Sequence, residues 1–134
     1  MDKTRLALIK GYLTKAKDKL GVAHELLEHQ HYDDAVSRSY YAAFHAAQAA
    51  LISEDQEANT HKGVVTLFGL FLVKPGKIDK QYGKVLANLK DDRESGDYEA
   101  LSFIDEETAK RAVTEAETFY KAIEQYLRKN KLLE

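Results

Sequence analysis

Apolar residues recur at steps of three and four along most of this chain, and no segment sustains a step of two. That periodicity turns one face of each helix toward a core and excludes half-buried strands. Over residues 3–28 the stripe is Leu6, Ile9, Leu13, Ala16, Leu20, Ala23 and Leu27, which predicts one long helix. Gly11 and Gly21 inside it each cost about 1 kcal/mol relative to alanine. The polar run EHQHYDD (28–34) reads as a connection, with Asp33 or Asp34 placed to cap a second helix over 34–53. SEDQEANTHK is the next loop, where Asn59 or Thr60 can cap a third helix over 61–73, and KPG at 74–76 stops that helix. A fourth helix over about 79–94 carries Tyr82, Val85, Leu86 and Leu89 on one side, and RESGDYEALSF (93–103) reads as a loop around Gly96. Asp105, Glu106 and Glu107 then open the last helix, carboxylates at its positive end. Its buried stripe runs from Ala109 through Ala112, Val113, Ala116, Phe119, Tyr120, Ile123, Tyr126 and Leu127. With one proline, no repeat and no low-complexity run, residues 1–134 are expected to form a single all-α domain. Its expected architecture is an antiparallel up-and-down bundle of four to five helices.

Several function classes drop out on composition. Cysteine is absent, which removes thiol nucleophiles, disulfides and cysteine-ligated metals. The start MDKTRLALIKG has no apolar leader core, and the longest apolar run, VVTLFGLFLV at 64–73, is half of the ~20 residues a membrane span needs. A cytoplasmic chain with no membrane partner is expected. Twenty basic against 22 acidic side chains give a net charge of −2. Proteins that track nucleic acid non-specifically carry a basic excess, so any nucleic-acid chemistry here needs a local cationic pocket. His24, His29 and His31 do not share one helical face, so no metal site and no cofactor are expected.

The second helix holds the unusual stretch SRSYYAAFHAAQAAL (37–51). At about 100° per residue, Arg38 and His45 differ by roughly 20° in azimuth and about 10.5 Å along the axis. Tyr41 lies between them and Gln48 extends the row, so Arg38, Tyr41, His45 and Gln48 form one polar-tipped stripe. Tyr40 and Phe44 make a neighbouring aromatic row. Alanines at 42, 43, 46, 47, 49 and 50 leave the backbone thin enough for another helix to pack very closely. From spacing alone two readings stand side by side. In one, the histidine is a hydrogen-bonded core residue and the arginine an ion-paired surface residue. In the other, a guanidinium that binds phosphate and an imidazole that titrates near working pH are the minimum kit for metal-free phosphodiester cleavage.

The same stretch closely resembles the signature helix of the HEPN-domain family, whose motif is an Arg, four to six residues, then a His. Arg38, SYYAAF and His45 fit it at the six-residue limit. The Tyr-Tyr-Ala-x-Phe-His form is similar to a group of small stand-alone prokaryotic members. THKGVVTLFGLFLVKPGKI (60–78) resembles that group's His-x-Gly-Val…Phe…Phe-Val-Lys segment, and DDRESGDYE (91–99) its Arg-x-x-Ala-Asp-Tyr loop, with Gly96 where alanine is usual. These segments cover residues 32–99; the outer helices match in length and pattern only. The resemblance implies a bundle that forms a homodimer, with the Arg–His helices of two subunits meeting at a shared cleft. It also implies a metal-independent RNase of the toxin type, paired with a nucleotidyltransferase-like antitoxin. Arg38 would then stabilise the phosphate and His45 serve as acid or base, leaving a 2′,3′-cyclic phosphate and a free 5′-hydroxyl. Other members of the family are non-catalytic nucleotide- or RNA-binding modules, and a third role is that of partner subunit to a nucleotidyltransferase-like protein.

Helical side chains lean toward the N-terminus, so His45 leans toward Arg38 while Arg38 leans away. One phosphate bridging both within a subunit is a stretch, which a composite site across a dimer axis relieves. The alanine-rich face is an independent pointer to such close helix approach. Tyr41 and Gln48 on the stripe, His61 and Lys62 at the start of the third helix, and Arg93 are the candidate nucleotide- or RNA-binding residues. Each has a plainer alternative: capping and surface charge for His61 and Lys62, and an internal salt bridge with Asp97 beside Tyr98 for Arg93.

Overall fold

The computed structural model describes residues 1–98 and 103–133, and every element in it is helical. Helix α1 spans Lys3–Glu28, α2 Tyr32–Ser53, α3 His61–Phe68, α4 Lys80–Tyr98 and α5 Glu106–Lys129, with a π-helical turn over Gly69–Val73 continuing α3. Among the described residues no helix is long and apolar enough to cross a membrane.

Side-chain chemistry sets the helix ends. Asp2 Oδ1 accepts from Arg5 N–H at 2.8 Å, and Asp105 Oδ1 accepts from Thr108 N–H at 2.8 Å, so both outer helices begin on an aspartate cap. Thr60, one of the two expected caps, accepts from Gly63 N–H at 2.9 Å. A Cβ on Gly63 would stand 2.8 Å from that hydroxyl oxygen, so a side chain there would require the Thr60 cap to shift. Helix α1 ends with Gln30 in the left-handed region, φ 66°, and His31 N–H reaching back to Leu26 O at 2.8 Å. Gly11 and Gly21 are on the solvent side of α1, and the burial of Ile9, Leu13, Ala16, Leu20 and Ala23 carries the helix through both.

Two expectations need correction. Asp33 and Asp34 do not cap α2, which begins at Tyr32 with His31 at the N-cap position; both aspartates lie in its first turn. Asp33 Oδ1 instead accepts from Ile104 N–H at 3.2 Å and ties the entry of α5 to the start of α2. The loop expected from residue 93 is helical to Tyr98, and Gly96 lies within α4. A Cβ at Gly96 would meet Ile104 Cγ1 at 3.2 Å, so this glycine permits close approach of two segments and does not break the helix. Residues 99–102 of that expected loop, and the side chains of Asp97 and Tyr98, lie outside the described residues.

The four long helices run up, down, up and down. Arg5 Nη2 donates to Ile52 O at 2.9 Å, joining the start of α1 to the end of α2. Tyr126 Oη donates to Glu54 Oε2 at 2.7 Å, while Asp33 meets Ile104, so α5 runs parallel to α2. Helix α4 opposes both: Asp92 pairs with Arg111 at 3.1 Å, and Lys77, just before α4, pairs with Glu54. Phe119 sits in the core between Phe68 and Tyr82, at ring-centroid distances of 5.3 and 6.3 Å.

Helix α2 is the centre of this arrangement, packed against α1, α3, α4 and α5. Ala42, Ala43, Ala46, Ala47, Ala49 and Ala50 are all 0% exposed. The small side chains therefore let the chain's own helices close in, and the alanine face is not available to a second subunit. That removes the alanines as an argument for dimerisation.

Candidate functional site

Between Ala35 and Ile52, α2 is buried at every position except Arg38, Tyr41, Phe44, His45 and Gln48. The expected polar stripe is thus the single opening in an otherwise enclosed helix, with Phe44 added to it. Burying a charge or an imidazole without a partner is costly, so these groups face the one side that solvent reaches.

Two guanidiniums converge on the N-terminal half of this stripe. Arg38 Cζ lies 5.1 Å from the Tyr41 ring centroid, and Arg93 Cζ, arriving from α4, lies 5.1 Å from the same ring and 5.6 Å from that of Tyr40. The aromatic faces hold both cations by their quadrupoles. Arg38 forms no ion pair among the described residues, so its fork is open to an anion. The two guanidiniums form a local cationic patch in a chain of near-neutral net charge.

His45 lies further along. Its Nδ1 is 2.9 Å from Gln48 Oε1, and its ring stacks on Tyr12 of α1 at 6.3 Å between centroids and 17° between planes. With the amide oxygen facing Nδ1, that nitrogen carries the proton and Nε2 keeps its lone pair. Burial lowers the His45 pKa below the ordinary histidine value, and Lys15, Lys19 and His61 push the same way against the Gln48 hydrogen bond. The imidazole is therefore neutral at pH 7, the state a base requires. Gln48→Glu puts a carboxylate against Nδ1 and favours the imidazolium. The His45 titration, followed by its imidazole resonances, is expected to move to higher pH in that variant; an unmoved titration would mean that Gln48 does not govern the ring.

His61 enters from the start of α3. Its Nδ1 is 2.6 Å from Tyr40 Oη, and its ring stacks on Phe44 at 4.5 Å and 20°. Burial raises the Tyr40 pKa far above the ordinary phenol value, so the hydroxyl stays protonated and donates to His61. His61 is lowered by burial first, then by Arg93 and Lys90, with Glu94 opposing. Both imidazoles thus resist protonation when folded. The unfolded chain takes up those protons near pH 6.5, so stability from these two groups is complete above that value and declines as pH falls below it. Thermal unfolding at pH 7.5 and 5.5 is expected to show a drop in Tm on acidification that is smaller in the His45→Gln, His61→Gln double variant. An equal drop would assign the acid sensitivity to other groups.

The structure brings Arg38, Tyr41, His45, Gln48, His61 and Arg93 together. Lys62 is exposed, and no contact ties it to the group among the described residues. The other histidines have structural roles: His24 Nε2 lies 3.4 Å from Glu117 Oε1, and His29 and His31 close the α1–α2 turn. Tyr12 escaped the sequence reading because its contact with His45 spans two helices. Its place in the α1 sequence, one residue before the buried Leu13, gives no signal of that stacking.

Comparison with known proteins gives a consistent family. The HEPN domain model matches residues 9–126. A Methanocaldococcus jannaschii protein named Putative toxin is 35% identical over 120 residues, covering 90% of this chain and 89% of its own. A Thermotoga maritima UPF0332 protein is 33% identical over 120 residues, covering 90% of this chain and 91% of its own. A second Methanocaldococcus jannaschii protein named Putative toxin is 27% identical over 115 residues, covering 86% of this chain and 78% of its own.

Proposed function

The chain belongs to the HEPN domain family, and from that premise we propose that it is a metal-independent endoribonuclease of the toxin type. The observation that carries this reading is the opening in α2. The one polar stripe of a buried helix presents a neutral imidazole and a guanidinium with no ion pair among the described residues, and a second guanidinium joins them from α4. Relatives that bear the name Putative toxin support the same class.

The chemistry follows from the groups. His45 Nε2 takes the proton of a ribose 2′-hydroxyl, and the resulting oxygen attacks the adjacent phosphorus. Negative charge builds on the phosphoryl oxygens, where the Arg38 and Arg93 guanidiniums stabilise it more than they stabilise the ground state. The 5′-oxygen departs and is protonated by water or by a second imidazole. The products are a 2′,3′-cyclic phosphate and a free 5′-hydroxyl. Arg38 lies over Tyr41 and makes no contact with His45, so a homodimer that brings a second copy of the stripe against the first would complete the site. The polar stripe is the part of α2 left open for that contact.

Purified protein incubated with RNA and excess EDTA is expected to produce fragments with cyclic phosphate ends. Saturable binding of RNA or a nucleotide with no fragments, weakened by Arg38→Ala, would replace this reading with that of a non-catalytic binding module.

A further inference from the structure

Toward the C-terminal end of α2, beyond His45, a solvent-open cavity of about 380 Å³ lies between α1, α2 and the connection leading to α3. Its walls hold three flat rings and three side-chain amides. Tyr12, Phe44 and His61 supply the rings, and Gln48, Gln56 and Asn59 the amides. Gln48 gives its oxygen to His45 and keeps its amide hydrogens for a ligand, while the side chains of Gln56 and Asn59 make no hydrogen bond among the described residues. Among the described residues no lysine or arginine lines the cavity, and Glu57 is the one charged residue there.

The charge pattern decides what fits. A phosphate belongs at the other end of the stripe, with Arg38 and Arg93, and Glu57 repels it from the cavity. A neutral aromatic ring with donors and acceptors on its edge suits stacking walls and free amides. We propose that this cavity is a nucleobase subsite that takes the ring of a nucleotide whose phosphate points away from it along the stripe, past His45 toward the arginines. Side-chain amides match the adenine edge in bidentate fashion, which makes adenine the ring favoured. Gln48 links the two ends, holding His45 with its oxygen while its side chain lines the cavity. The position of the phosphate rests on the ribonuclease reading; the cavity's affinity for a ring does not.

The test separates the two. Adenosine, which has no phosphate, is titrated into the full chain while the side-chain amide resonances of Gln48, Gln56 and Asn59 are followed. Saturable shifts are expected, and binding is expected to weaken about tenfold or more in Gln56→Leu, Asn59→Leu. Both positions lie in the connection outside the core, and a thermal melt of the variant checks its fold. No saturable shift in the wild-type chain, or unchanged affinity in a folded variant, overturns the subsite. In parallel, fragments from a random RNA pool are sequenced at their ends. A preference for adenine beside the cut that flattens in the variant supports the subsite, and a preference unaltered by the variant overturns it. Adenosine binding without RNA cleavage refutes the ribonuclease and leaves the subsite standing; cleavage without adenosine binding does the reverse.

Discussion

His45→Ala is expected to remove RNA cleavage, with a loss of about 10²–10⁴-fold set by what a positioned proton acceptor contributes. The effect should fall on turnover and not on folding. The imidazole is part-buried, its Nδ1 partner Gln48 can turn to water, and the Tyr12 stack is one contact among many. Loss of such a hydrogen bond costs about 1 kcal/mol, or a few degrees in Tm for a domain of this size. Arg38→Lys keeps the charge but not the planar fork, and is expected to leave His45 titration in place while lowering cleavage. Retained cleavage in His45→Ala would end the mechanism. A Tm lowered by more than about 10 °C would assign the imidazole a structural role instead.

Phe119→Ala is the core substitution with the largest expected cost, about 3–5 kcal/mol. The ring is 0% exposed and packs between Phe68 of α3 and Tyr82 of α4, so its removal leaves a void where three helices meet. For a domain whose total stability is of order 5–15 kcal/mol, this takes away a large share. Urea unfolding should show the midpoint falling with little change in slope. A cost under about 1 kcal/mol would mean that the site collapses around the deletion or that α3 is only loosely docked.

The fold was legible because helix periodicity and capping act locally. The stripe of α1, the Thr60 and Asp105 caps and the stop at Lys74–Gly76 all depend on residues within a few positions of each other. Errors arose where one residue serves two segments. Gly96 reads as a breaker, yet its missing Cβ is used against Ile104, eight residues on. Asp33 reads as a cap, yet its carboxylate serves the backbone of Ile104. The alanines of α2 state that something packs closely, but not whether that neighbour is the same chain or another copy; here it is the same chain. The site was half visible for the same reason. Arg38, Tyr41, His45 and Gln48 share a helical face and could be grouped by spacing. The Tyr40–His61 hydrogen bond, the place of Arg93 over Tyr40 and Tyr41, and the Tyr12 stack join different helices, so periodicity within one helix does not reveal them.

If the α2 stripe cuts RNA through the ribose 2′-oxygen and without a metal, a DNA oligonucleotide carrying a single ribonucleotide will be cut by the protein in EDTA. One cut is expected, on the 3′ side of that ribose, leaving a 2′,3′-cyclic phosphate and a 5′-hydroxyl, with no cut in the all-deoxy control. Cleavage of the control, or fragments ending in a 3′-hydroxyl and a 5′-phosphate, would contradict this mechanism.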